Sequence, residues 1–198
     1  MSPGRRPTGQ GGVSIRRVVL VGFMAAGKST IGRLLADRLG WRFVDFDAEI
    51  ESSSGRSIHR IFAEDGEAGF RALEADLTER VADELDVVLA PGGGWITQGP
   101  LVDRLRPCSL FVWLRLSAEE AVKRAGTDPI VRPLLSTADP LAAARRLLAA
   151  RERDYALADW IVDVEGRAPR NVARDLSERL KGAGVDPLPR QQDGRGGV

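Results

Sequence analysis

The chain has 198 residues, 29% of them charged and 43% hydrophobic, with a formal net charge of +1. That length suits one globular domain with a core that needs no staples. The ordinary composition excludes a disordered chain, and the near-neutral, interleaved charge excludes a dedicated nucleic-acid binder. With Cys108 and His59 as the only residues of their kinds, there is no internal disulfide, no Ser-His-Asp or Cys-His machinery and no multi-histidine metal site.

Residues 1–14, rich in Gly, Pro and Arg, read as a flexible leader. Arg16 and Arg17 ahead of the apolar run Val18–Met24 resemble a signal peptide, but the run is short and is soon broken by a polar turn with Lys28. The expectation is therefore a cytoplasmic chain with no membrane segment. Val18–Val21 has the pattern of a strand buried on both faces. Ile31, Leu34, Leu35 and Leu39 fall at helical spacing, closed by Gly40. Phe43–Asp45 reads as a second strand. Phe70, Leu73, Leu77 and Val81 form a helical stripe over 67–84. Asp86–Leu89 reads as a third strand, running into Pro91 and Gly92–Gly94. Cys108 opens the next apolar run as a structural thiol, with a fourth strand over Leu110–Leu114. Ser117, Glu119 and Glu120 suit the start of a helix over 117–124. Residues 140–157 form a long helix, Trp160–Val164 a fifth strand and 169–181 a last helix. Residues 182–198 read as a flexible tail. Five strands alternating with helices imply a three-layer α/β/α fold around a five-stranded parallel sheet, one domain over 15–181, with ligands at the carboxyl ends of the strands.

The segment Gly22-Phe23-Met24-Ala25-Ala26-Gly27-Lys28-Ser29-Thr30 follows a strand and opens a helix. Glycines there let backbone N–H groups wrap anionic oxygens at a helix N-terminus, which is the chemistry of a P-loop. Lys28 is set to reach the β- and γ-phosphates and Ser29 to ligate Mg²⁺. Lysine is scarce in this chain, limited to Lys28, Lys123 and Lys181, which makes a chance match rarer. No Asn-Lys-x-Asp signature accompanies the loop, which argues against a GTPase. The third strand ends without an acid, so another carboxylate must serve the metal. Asp45 and Asp47, read as alternating at the end of the second strand, are the candidates; they are equally compatible with polar strand-end residues.

Beyond the loop, the chain resembles the shikimate kinases, a nucleoside-monophosphate-kinase-like branch of the P-loop NTPase fold, over about Val18 to Leu180. The matching segments are Phe43–Glu51 with Asp45 and Asp47, Gly55–Ile58 through Ile61-Phe62, Asp65-Gly66-Glu67 to Phe70-Arg71 and Glu74, Gly92–Gly94, Arg124, Val131–Leu135, and Arg151 with Tyr155. The resemblance implies phosphorylation of the 3-hydroxyl of shikimate by ATP with Mg²⁺, in aromatic amino-acid synthesis, by a monomer with no nucleic-acid or membrane partner. It implies that Gly22, Ala25, Ala26, Gly27, Lys28, Ser29 and Thr30 hold the phosphates, that Arg124 and Pro169 contact adenine, and that Arg132 closes in a lid over about 125–139 to neutralise developing charge. Ser29 and Asp45 are implied for the metal, the latter through water. Asp47 is implied to orient the reacting hydroxyl and accept its proton. Arg71 and Arg151 offer forked guanidinium donors to a carboxylate, Gly92, Gly93 and Gly94 admit a polar ring against backbone, and Phe62 and Phe70 form apolar walls. On residue type alone, Arg71 and Arg151 are equally solvated helix arginines, Phe62 and Phe70 equally core, and Gly92–Gly94 equally a turn.

Two positions depart from the family pattern. Ala25 stands where many members carry glycine, which is tolerable with a negative φ. Trp95 stands where a small residue is usual, placing a large ring beside the acceptor turn. Lys28, Asp47 and Arg132 are the expected catalytic set. The alternatives are a sibling kinase for another polyol acid or cyclitol, such as gluconate, and a catalytically silent ATP-binding module.

Overall fold

Each strand of the sheet is short and apolar. The structure, a computed structural model, describes residues 14–127 and 138–188. The five strands are β1 (Arg17–Val21), β2 (Arg42–Asp45), β3 (Val87–Ala90), β4 (Ser109–Arg115) and β5 (Trp160–Asp163). They run parallel in the order β2-β3-β1-β4-β5. Central β1 is buried at every residue, as a parallel strand covered on both faces must be. Its alternation divides the core in two. Val18 and Leu20 face a layer with α1 (Lys28–Leu39), α5 (Ala118–Thr127) and α7 (Pro169–Gly182). Val19 and Val21 face a layer with α2 (Phe46–Ser54), α3 (Ile58–Val81), α4 (Gly99–Leu105) and the end of α6 (Pro140–Tyr155).

Several elements differ from the sequence reading, each for a local reason. The expected helix over 67–84 begins at Ile58, because Ser57 Oγ accepts the N–H of Arg60 as a cap; a kink at Gly66 (φ 70°) hid the first half from periodicity. Asp47 is not on a strand. Asp45 ends β2 and its carboxylate accepts the N–H groups of Asp47 (3.1 Å) and Ala48 (3.4 Å), turning the chain into α2 with Asp47 in its first turn. A 3₁₀ turn at Trp95–Thr97 and the short α4 carry too few apolar positions to show a period. Cys108 sits just ahead of β4 in a left-handed conformation, and its carbonyl accepts the N–H groups of Arg16 and Arg17. Beyond α7 the chain still packs on the domain: Val185 is buried, and the N–H of Leu188 donates to the carbonyl of Leu39 at 2.8 Å. Most of the expected lid, Arg132 included, lies outside the described residues.

Beneath the sheet, at its amino-terminal edge, Arg17 is 2% exposed and, among the described residues, faces no carboxylate in hydrogen-bond contact. Its guanidinium donates instead to the carbonyls of Ala82 and Glu84 just beyond α3, to those of Leu105 and Pro107 around the end of α4, and to Ser109 Oγ at 3.1 Å. Helix C-termini present unpaired carbonyls and negative dipole ends, so one buried cation serves both. Burial pushes its pKa down.

Candidate active site

The carboxyl ends of β1, β2 and β3 meet at one rim. Register pairs Asp45 with Ala90, so the Asp45–Asp47 turn lies beside the segment Pro91–Gly94 that leaves β3. The loop after β1 spans Gly22–Gly27 and enters α1 at Lys28. Gly22 has φ 148°, and a Cβ there would stand 2.5 Å from the carbonyl oxygen of Leu114, so no other residue fits. Lys28 folds back over its own loop, donating to the carbonyls of Gly22 (2.9 Å) and Phe23 (3.2 Å). Its ammonium is thereby held over the loop whose N–H groups form an anion cradle.

Ala25 does not meet the condition of a negative φ under which its methyl is tolerable; its φ is 59°. A Cβ in the left-handed region costs about 1–2 kcal/mol, and glycine regains flexibility in the unfolded chain worth about 0.4–1 kcal/mol against it. Ala25→Gly is therefore expected to stabilise the fold by about 0.5–1 kcal/mol. Denaturant unfolding reads this directly, and an unchanged or lower midpoint contradicts it.

Of the three glycines after β3, Gly92 and Gly94 stand where a Cβ would collide with a side chain of α3, and Gly93 lies in van der Waals contact with the phosphate loop. A Cβ on Gly92 would lie 2.5 Å from Glu74 Oε1 and 3.7 Å from Asp47 Oδ1. One on Gly94 would lie 2.2 Å from Arg71 Nη2. One on Gly93 would lie 3.4 Å from the carbonyl oxygen of Gly22 and 3.5 Å from the N–H of Met24. The turn thus packs backbone to backbone against the phosphate loop, and its other glycines admit the polar side chains of α3.

Glu74 is a site residue to which the sequence alone assigns no role. It is fully buried, pairs with Arg71 and accepts Gln98 Nε2 at 3.1 Å through Oε2. Among the described residues Oε1 has no hydrogen-bond partner. Its spacing of three from Arg71 is the one sequence signal for that pairing. Arg71 also bonds Glu67 at 2.8 Å and lies 5.6 Å from the Phe70 ring centroid. Phe62 and Phe70 pack on each other at 4.9 Å. Arg151 is nearly buried, one helical turn before Tyr155.

Desolvation raises the Glu74 pKa above its ordinary 4.5, opposed by the charge and hydrogen bonds of Arg71. An acid with a raised folded pKa contributes stability that is fully present below the unfolded value and lost as pH rises through the folded one. The stability difference between wild type and Glu74→Gln is therefore expected to turn against wild type on going from pH 4 upward; a difference that moves the other way across that range contradicts it.

Trp95 does not line the acceptor space. Its ring is fully buried, stacked with Phe111 at 6.4 Å and edge-on to Phe46 at 6.3 Å. Its indole N–H donates to Thr78 Oγ1 (2.9 Å), which donates to the carbonyl of Glu74 (2.7 Å). Alternation at the end of the turn sends the large ring under the site, into the core.

At the other flank, Arg124 bonds Glu120 at 2.9 Å and reaches the carbonyls of Ala25 (3.4 Å) and Val164 (3.3 Å). It so links the phosphate loop to the segment leading toward Pro169, which is exposed at the first position of α7. The donor set of the rim fits a hard cation: Ser29 and Asp45 offer a hydroxyl and a carboxylate. Among the described residues no cluster of three acidic, histidine or cysteine groups stands ready to hold a metal, so phosphate oxygens and water must complete any coordination.

A family model described as shikimate kinase matches residues 24–181. The chain belongs to the shikimate kinase family. The shikimate kinase of Moorella thermoacetica is 44% identical over 164 residues, covering 83% of this chain and 94% of that protein. Among solved structures, shikimate kinase from Acinetobacter baumannii in complex with shikimate is 35% identical with a TM-score of 0.81, covering 87% of this chain and 96% of that one. A gluconokinase from Sinorhizobium meliloti, at 18% identity and a TM-score of 0.59, covering 85% of this chain and 93% of that one, shares the fold. As a member of the shikimate kinase family, the chain is an ATP-dependent phosphotransferase with an alcohol acceptor. No helix among the described residues is long and apolar enough to cross a membrane.

Proposed function

We propose that this site transfers the γ-phosphoryl group of ATP to the 3-hydroxyl of shikimate, in the cytoplasm and as a monomer, with each residue in the role its position favours. The carrying observation is the abutment of Gly93 on the phosphate loop, with Asp47 and the unpartnered Glu74 oxygen beside Gly92. Donor and acceptor halves then share one wall, with the exposed Asp47 carboxylate on the acceptor side of the glycine turn.

The phosphates of ATP lie along Gly22–Thr30 with Lys28 on the β- and γ-oxygens. Ser29, and Asp45 through water, would hold Mg²⁺, which would supply charge neutralisation at the phosphates. Adenine lies at Arg124 and Pro169. Arg71 and Arg151 take the acceptor carboxylate, and Phe62 and Phe70 border the apolar side of the ring. Asp47 takes the proton of the 3-hydroxyl as that oxygen bonds to the γ-phosphorus and the bridging β–γ bond breaks, releasing ADP. Arg132 neutralises the equatorial oxygens in that transfer. Positioning and charge neutralisation supply the rate, as in phosphoryl transfer generally.

ADP release measured against shikimate, gluconate and other polyol acids tests this. Shikimate alone should raise turnover far above the acceptor-free background. Stimulation by gluconate instead, or ATP binding without any stimulated turnover, would refute the assignment.

A further inference from the structure

One buried hydroxyl touches the glycine turn of the acceptor site and has no role in the phosphoryl transfer itself. Tyr155 ends α6 and is fully buried, its ring stacked on Trp113 of β4 at 5.6 Å and 20°. A phenylalanine would fill that place equally well, so packing does not explain the hydroxyl. The hydroxyl donates to the carbonyl of Gly93, the middle glycine of the turn. Arg151 lies four residues earlier on the same helical face, so its side chain neighbours the phenol. A phenol has one proton to give and lone pairs to receive, so donating to Gly93 leaves the oxygen open to a neighbouring cation. Burial pushes the phenol pKa up to about 12, so it remains a donor at any working pH.

The peptide plane adds the consequence. In a trans peptide the carbonyl and the following N–H point in opposite directions. Holding the Gly93 carbonyl therefore sets the direction of the Gly94 N–H, and the Arg71 guanidinium lies directly against Gly94. We propose that Tyr155 is a positioning residue for the acceptor carboxylate, its hydroxyl locking the Gly93–Gly94 peptide in place between Arg71 and the helix that carries Arg151. This rests on the reading of Arg71, Arg151 and Gly92–Gly94 as the acceptor site.

Tyr155→Phe tests it in the full chain by steady-state kinetics. The KM for shikimate is expected to rise about tenfold, the scale of one lost hydrogen bond to a charged partner, while the KM for ATP stays within about twofold. With the carboxamide of shikimate as acceptor, wild type and variant should differ little, because the carboxylate that needs positioning is gone. A purely structural tyrosine would lower the thermal midpoint and leave both KM values unchanged, or raise both together; either result overturns the proposal. A Tyr155→Phe chain recovered only unfolded overturns it too, since the hydroxyl would then serve the fold. Arg151→Lys in the same assay separates the two readings. If it leaves the shikimate KM unchanged, the acceptor-site reading fails. If it raises that KM and Tyr155→Phe does not, the role of Tyr155 fails.

Discussion

Asp47→Asn lowers the turnover of shikimate by about 10²–10⁴-fold, the range that a positioned general base contributes, and leaves the fold intact. The change is isosteric and removes both the proton acceptor and the negative charge. Asp47 is exposed in the first turn of α2, and the cap of that helix belongs to Asp45, so helix formation does not depend on it. Lys28→Ala is expected to act alongside it, by about 10²–10³-fold, the cost of removing one preorganised donor from developing charge. Single-turnover phosphoryl transfer at saturating ATP and shikimate, with unfolding midpoints measured in parallel, decides the matter. Near wild-type turnover in Asp47→Asn would remove the proton-accepting role. A collapse of the midpoint would show that Asp47 serves the fold.

Arg17→Met destabilises the chain by about 3–5 kcal/mol without touching the site, because the carbonyls of Ala82 and Glu84 lose their side-chain donor and those of Leu105 and Pro107 keep only Ser109 Oγ. Each buried acceptor left unpaired costs about 1–3 kcal/mol, and water entering near the ends of α3 and α4 offsets part of the sum. For a chain of this size the expected fall in Tm is about 10 °C. The methionine fills much of the same volume, so a cavity is not the cause. A Tm shift of only a degree or two would mean that those carbonyls find other partners and that Arg17 is dispensable. The two predictions separate cleanly: Asp47 acts on turnover at the carboxyl rim of the sheet, Arg17 on stability at the opposite edge.

Much of the fold was legible because its signals are local. Runs such as Val18–Val21 and Leu110–Leu114 announce buried strands without reference to anything distant. Gly22–Thr30 carries its mechanism in its own spacing, and the family resemblance added Arg71, Arg151 and Gly92–Gly94 through motif order. The errors share a different cause. Whether Asp47 continues a strand or opens a helix depends on the Asp45 carboxylate turning back onto two N–H groups. Ala25 takes φ 59° inside a loop whose path is constrained by the neighbouring Leu114 carbonyl and by the glycine turn.

The amino-acid sequence by itself therefore determined the parallel α/β class and the nucleotide loop, since those rest on periodicity and short-range spacing. Only the tertiary structure decided that Trp95 turns its ring into the core, that Gly92 and Gly94 make room for Glu74 and Arg71, and that Tyr155 bonds the Gly93 carbonyl from 62 residues away. Those outcomes depend on which side chains the crossovers bring within a few ångströms of one another, and no local pattern encodes that distance.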